Sequence, residues 1–359
     1  MHAERTDLRD NNFDAVRLSL ATCIFMAHAT CVFFPALQSN PLFWLPVMLR
    51  NVAIECFFVL SGFLVFMSWD RAPDCRRFFS KRAARILPAY VAVVLACAIG
   101  GALLTSRPVA EYFSLDWVRF LFANLFFVNF FQESLPGAFD NGVTGIVNYP
   151  LWTVKIELLF YLSVPALAIS LGRFRSVFWI INLYLLSLLY RFGVEHYAIA
   201  SDAGWLRVFA KQLPAQFSFF IAGYALYRFF PAFMKWKDFA FGAAVFSLIL
   251  QSYYPWMLLR PAAIAIIVIY CAYSLPRIKS FHSIGDLSYG VFLFHFPVLH
   301  VIAEHTPLSG TAAFALSAIY VFGIAFLSWR WLEHPILARV RGADERAEPA
   351  AGQQVSLES

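Results

Sequence analysis

Apolar residues fill windows of helical length along the chain, at 16–35, 50–69, 86–104, 151–171, 177–193, 211–230, 239–253, 257–275, 284–303 and 313–332, with short polar stretches between them. A helix needs about 20 mostly apolar residues to cross a bilayer, and these runs reach or approach that length. They are uniformly apolar rather than alternating, which excludes a transmembrane barrel. The pattern predicts an all-α polytopic bundle of about ten spans.

One further stretch, SLDWVRFLFANLFFVNFF (114–131), is apolar but interrupted by Asp116, Arg119, Asn124 and Asn129. It is either an eleventh span or an interfacial or re-entrant helix. Charge between the spans decides the expectation. The loops 70–85, 172–176, 231–238 and 276–280 are basic, and so is the tail with Arg339, Arg341 and Arg346. With the N-terminus inside, ten spans place all of them in the cytoplasm, and both termini with them, whereas an eleventh span at 114–131 would reverse every later loop. The segment is therefore expected not to cross. Residues 132–150, rich in Gly, Asn and Pro, read as an outside loop. Residues 1–15 form a short cytoplasmic segment, 16–337 the membrane domain and 338–359 a disordered cytoplasmic tail.

Composition agrees: 60% of the 359 residues are hydrophobic and 14% charged, against about 25% charged in soluble proteins. The first fifteen residues are polar and the run after them has no small-residue cleavage site, so no cleavable signal is expected. Five cysteines (Cys23, Cys31, Cys56, Cys97, Cys271) sit in apolar runs and Cys75 in a basic loop. That spacing suggests neither a disulfide framework nor a metal site. No nucleic-acid partner is expected, and no inverted repeat of the transporter kind is evident.

Charged groups inside a bilayer are costly and mark candidate function unless they sit near an end and snorkel. Arg17 begins the first span and snorkels on the simplest reading, while His28 is too deep for that. Eleven residues turn a helix by roughly 1100°, about 20° past three full turns, so the two share a face ~16 Å apart. Glu55 falls at a similar depth on the antiparallel neighbour. A carboxylate beside an imidazole either glues two helices or orients a base that deprotonates a hydroxyl. Glu157 is equally deep, flanked by Trp152, Lys155 and Tyr161. His295 stands midway through its span, as a packing residue or a functional one. Arg82 and Arg85 lie one turn apart in the basic loop, where two guanidiniums can grip one phosphorylated ligand or simply fix topology. Arg71, Arg76, Arg77 and Lys81 fit the topological role alone.

Taken in order, Arg17 to His28, IECFFVLSGFL (54–64), FFSKRAARILPAY (78–90), WTVKIELLFY (152–161), GDLSYGVFLFHFPVL (285–299) and WRWLEHPI (329–336) resemble the acyltransferase 3 family. These are bacterial-type membrane O-acyltransferases that modify O-antigens, exopolysaccharides, lipochitooligosaccharides and some antibiotics. The resemblance implies a ten-helix bundle of the cytoplasmic (inner) membrane, and an acyltransferase that moves groups other than aminoacyl. It would carry an acyl group, commonly acetyl, from cytoplasmic acyl-CoA to a hydroxyl of a carbohydrate or glycolipid acceptor. Acyl-CoA is then a donor substrate, and no bound cofactor is expected.

By the same resemblance, Arg17 and His28 form the essential Arg-x10-His motif, Arg82 and Arg85 serve the CoA donor, and Glu333 near the last helix end is implicated. The family usually has Asp in its Asp-x-Phe-Phe-Val-x-Ser-Gly stretch where this chain has Glu55, with the same charge on a longer arm. Many members add an SGNH-type domain, which is not expected here. The resulting expectation is that Arg82 and Arg85 hold the CoA phosphates while the pantetheine arm, roughly 15–20 Å long, reaches His28 over a depth of ~16 Å. His28 acts as general base or acyl carrier, Glu55 or Glu157 orients it, and outer aromatic residues stack on sugar rings. A proton-coupled transporter or a non-catalytic membrane sensor would carry similar intramembrane charges.

Overall fold

The computed structural model describes residues 11–139, 145–173, 176–253, 258–276 and 285–343. Helices at the ten expected places dominate it, and the described residues contain no strand beyond an isolated bridge between Leu135 and Ala138. In chain order, α1 is Phe13–Phe33, α2 Trp44–Arg71, α3 Cys75–Leu104, α4 Leu115–Leu125, α5 Leu151–Arg173 and α6 Ser176–Ala200. Then come α7 Leu213–Arg228, α8 Phe230–Tyr253, α9 Arg260–Ser274, α10 Ser288–His305 and α11 Gly310–Ser328. Local chemistry explains several boundaries. Asp74 caps α3 by accepting from the Arg77 amide at 2.6 Å, and proline opens α7 and α9, where its missing N–H costs nothing.

Among the described residues, six helices are long and apolar enough to cross a membrane on their own. The segments Val208–Arg228 and Phe230–Gln251 qualify together but meet at 109°, a break that the apolar pattern at 211–230 and 239–253 does not reveal. α9 is a shorter apolar helix, and α10 carries His295, His300, Glu304 and His305 among its eighteen residues. The chain is thus an all-α polytopic membrane bundle.

The stretch at 114–131 does not form a span. Its α4 has eleven residues, about 16 Å of helix against a hydrocarbon core of ~30 Å. Asp116 and Arg119 pair on its exposed side at 2.9 Å. Its buried side is tied to α3: Trp117 Nε1 and the Tyr112 hydroxyl both donate to the Ala98 carbonyl, at 2.8 and 2.7 Å. The Tyr90 hydroxyl donates to the Asn124 carbonyl at 2.8 Å. At the other end of the chain, helix continues from α11 to Ala343. Helix thus runs past the expected boundary at 338, where Ala338, Arg339 and Arg341 are good helix formers. Residues 140–144 of the outside loop, 174–175 and 277–280 of two basic loops, and the tail from 344, Arg346 included, lie outside the described residues.

The chain divides into two compact units, one drawn from Met1–Cys23, Val47–Arg71 and Lys155–Ser283, the other from Ile24–Pro46, Ala72–Val154 and Ile284–Ser359. In the first unit α2 and α7 cross backbone to backbone. A Cβ on Gly62 would strike the Phe220 carbonyl oxygen, and one on Gly223 the Val59 carbonyl oxygen. Small residues are what allow such close approach where no hydrophobic force acts between helices. Aromatic rings fill in around the crossing, with Phe160 stacked on Phe220 at 4.4 Å and Phe66 against Tyr224 at 4.1 Å. Gly62→Val or Gly223→Val is expected to cost at least ~1–3 kcal/mol by overpacking, read as a lower thermal midpoint of the purified protein. Gly100→Ala, with nothing near the added methyl, should leave the midpoint level or higher.

In the second unit α10 and α11 touch at Gly290, whose added Cβ would lie 2.9 Å from Ala325. The end of α1 joins them through Phe25, 5.6 Å from Phe314. This places His28 of α1 beside α10.

Candidate functional site

Two histidines meet in the second unit. His28 Nδ1 lies 3.0 Å from His295 Nε2, the rings are near-parallel at 5.1 Å, and both side chains are buried, at 6% and 0% exposure. The backbone of α10 settles their proton arrangement. His295 Nδ1 faces two carbonyl oxygens, of Phe292 at 2.8 Å and Val291 at 3.1 Å. Carbonyls only accept, so in a neutral pair the His295 proton sits on Nδ1 and Nε2 is the acceptor. His28 must then donate from Nδ1. The lone pair of His28 is left on Nε2, the atom that can take a proton or attack a carbonyl. A fixed carbonyl–His295–His28 chain has the form of an oriented base.

A second cluster in the same unit joins three distant stretches of sequence. Arg85 of α3 forms a short ion pair with Asp286, and Asp286 also accepts from the amide and hydroxyl of Ser288 at the start of α10. The Tyr289 hydroxyl donates to the Ile86 carbonyl at 3.0 Å. Glu333 closes a π-helical turn, Trp329–Glu333, that follows α11, and is wholly buried. Ser328 donates to its Oε1 at 2.9 Å, and its Oε2 has no partner among the described residues. Arg85 and Asp286 lie within electrostatic reach of it. Gly285 makes the join possible. It holds φ at +88°, and any Cβ there would run into the Trp329 indole. Gly285→Ala is expected to cost ~1–3 kcal/mol through strain and collision together, seen as a lower thermal midpoint. Arg82, one turn before Arg85, lies with its guanidinium 5.7 Å from the Phe78 ring centre.

The glutamates expected to orient His28 belong to the first unit and have partners of their own. Arg260 grips Glu55 through Nε and Nη2 at 2.7–3.1 Å. Arg191 approaches Glu55 at 3.9 Å and bonds Glu195 at 3.0 Å. Glu157 accepts from Tyr161 one turn along α5, and from the Ser61 hydroxyl at 3.4 Å. Arg17, on the same continuous α1 as His28, stands 3.9 Å from Asp14. Trp152 is half-buried in the first turn of α5. Thus the structure brings His28 to His295 and Arg85 to Glu333, and adds Asp286, Arg191 and Arg260, which sequence reasoning did not single out. Asp286 stood inside the GDLSYG stretch, and Arg191 inside an expected span.

A family model described as an acyltransferase domain, that of acyltransferase 3, matches residues 10–330. The chain belongs to the acyltransferase 3 family. It is a membrane acyltransferase. Among acyltransferase 3 relatives, it is 25% identical to nodulation protein 10 of Rhizobium leguminosarum bv. viciae, over 91% of this chain and 93% of that protein. It is 26% identical to the O-acetyl transferase of Shigella phage Sf6, over 92% and 97%. It is also 25% identical to the peptidoglycan O-acetyltransferase OatA of Listeria monocytogenes, over 79% of this chain and 51% of that longer protein. No solved structure matches the chain.

Proposed function

We propose that the protein is an inner-membrane O-acyltransferase that moves an acyl group, acetyl first among candidates, from cytoplasmic acyl-CoA to a hydroxyl of a carbohydrate or glycolipid. The observation that carries this reading is the carbonyl–His295–His28 chain, which presents a lone pair at His28 Nε2 from a buried position on α1. Two relatives named as O-acetyltransferases support the reaction class. In the step proposed, Nε2 takes the hydroxyl proton as the acceptor oxygen bonds to the thioester carbon. The carbon–sulfur bond then breaks, and the imidazolium returns its proton to the CoA thiolate. One hydroxyl and one thioester become one ester and one thiol. His295 favours the charged intermediate, because its Nε2 accepts a stronger bond from a cationic ring. Arg82 and Arg85 bind the CoA phosphates, with Arg85 oriented by Asp286 and both guanidiniums suited to bidentate contact.

Purified protein in vesicles, given radiolabelled acetyl-CoA and a glycan acceptor, tests the reading. Ester-linked label on the glycan, with stoichiometric release of free CoA, is expected. Solute flux across the vesicles without consumption of acetyl-CoA would overturn it in favour of transport. Label retained on His28 when acceptor is withheld would replace the general-base route by the acyl-carrier route.

A further inference from the structure

α10 carries a second buried imidazole that the proposed transfer step does not use. His300 is 1% exposed, its Nδ1 lies 3.6 Å from Glu304 Oε1, and its Nε2 has no hydrogen-bond partner among the described residues. Nδ1 faces this carboxylate beyond hydrogen-bond distance, and in the tautomer with the ring proton on Nδ1, toward the negative charge, Nε2 is an acceptor. Asn148, tied to the same helix, is 5% exposed and donates its Nδ2 to the Leu293 carbonyl at 3.0 Å. Only the amino end of an amide can donate to a carbonyl, so the orientation is fixed. Its Oδ1 is a second buried acceptor with no partner among the described residues.

Leu293 and His300 are seven residues apart, which is two turns and ~10 Å along one stripe of α10. Phe296 lies between them on that side of the helix. Its ring centre is 6.3 Å from Tyr149, 4.6 Å from His300 and 5.4 Å from His28. One phenyl ring therefore meets the reacting imidazole, His300 and Tyr149, the residue that follows Asn148.

Buried acceptors lacking donors are matched by a molecule that brings O–H groups. A sugar brings several, and its C–H face suits the aromatic surfaces of Phe296 and Tyr149. We propose that His300 and Asn148 form the acceptor subsite, each receiving a hydroxyl of one sugar residue, with Phe296 setting that residue beside His28 Nε2. This rests on the acyl-transfer reading above and assigns it an acceptor-binding surface.

The test uses the full chain in vesicles, with labelled acetyl-CoA as donor and the lipid-linked glycan fraction of the host membrane as acceptor. In His300→Leu and Asn148→Leu the half-saturating acceptor concentration should rise at least ten-fold, while acetyl-CoA affinity, measured by direct binding, stays within two-fold. His300→Gln, which keeps an accepting oxygen, should recover most of the loss. Equal weakening of acceptor use and acetyl-CoA binding would show a structural role for the patch and overturn the proposal. An unchanged acceptor requirement in both leucine variants would overturn it as well. A wild-type protein that binds acetyl-CoA and never transfers the label would instead overturn the acyl-transfer reading itself.

Discussion

His28→Ala is expected to slow acyl transfer about 10³-fold, within the range that a positioned general base contributes, and to leave acyl-CoA binding unchanged. The substitution removes the only atom given a chemical part in the step, Nε2, and touches neither Arg82 nor Arg85. Binding and chemistry should therefore separate: equilibrium binding of acyl-CoA is retained, and transfer to the glycan is lost. The vacated volume is modest and faces Phe296 at 5.4 Å, so His28→Gln, closer in size, serves as the control for packing. Both variants should be inactive at normal thermal midpoints. Substantial transfer by either would remove His28 from the mechanism.

The second large effect is expected one residue further from the substrate. His295→Leu keeps the size of a buried side chain but deletes the acceptor that holds the His28 Nδ1 proton. Without it, His28 can turn or hold its proton on Nε2, and the base is lost as often as the wrong tautomer is populated. A loss of ~10²-fold in transfer rate is expected, in kcat rather than in the half-saturating concentration of either substrate. His295→Gln supplies an accepting oxygen and should restore part of the rate. A packing role alone predicts no difference in rate between the leucine and glutamine variants once their stabilities are matched.

The apolar runs and the charge between them were enough to lay out ten helices and to keep 114–131 from being counted as a span. Polar residues within those runs singled out His28 and His295, the basic loop singled out Arg85, and the family resemblance alone brought in Glu333. What a single sequence could not convey was partnership. His28 and His295 are 267 residues apart, and helical periodicity gives depth and facing along one helix but not the rotation of its neighbours. Glu55 was paired with His28 on depth alone. Arg191, lying inside an expected span at 177–193 and costly there, was the available sign that a carboxylate nearby was already claimed.

Two backbone departures had local causes that could be read. Pro231 has no N–H with which to continue the helix from α7 and stands in the first turn of α8, where that N–H is not needed. Pro335 has no N–H to offer the carbonyl four residues earlier, next to the π turn that seats Glu333. Asp286 was hidden for a different reason. An aspartate in a polar loop before a helix reads as an ordinary capping residue, and only the fold shows that Arg85 is its partner.

The proposed transfer step depends on which nitrogen of His28 bears the proton. Nitrogen NMR of the purified protein, with ¹⁵N-labelled histidine and the His28 and His295 signals assigned from single variants, observes this directly. The structure predicts that both rings are protonated at Nδ1 and bare at Nε2, with a coupling across the His28–His295 hydrogen bond. A His28 ring protonated at Nε2 and bare at Nδ1 would contradict it.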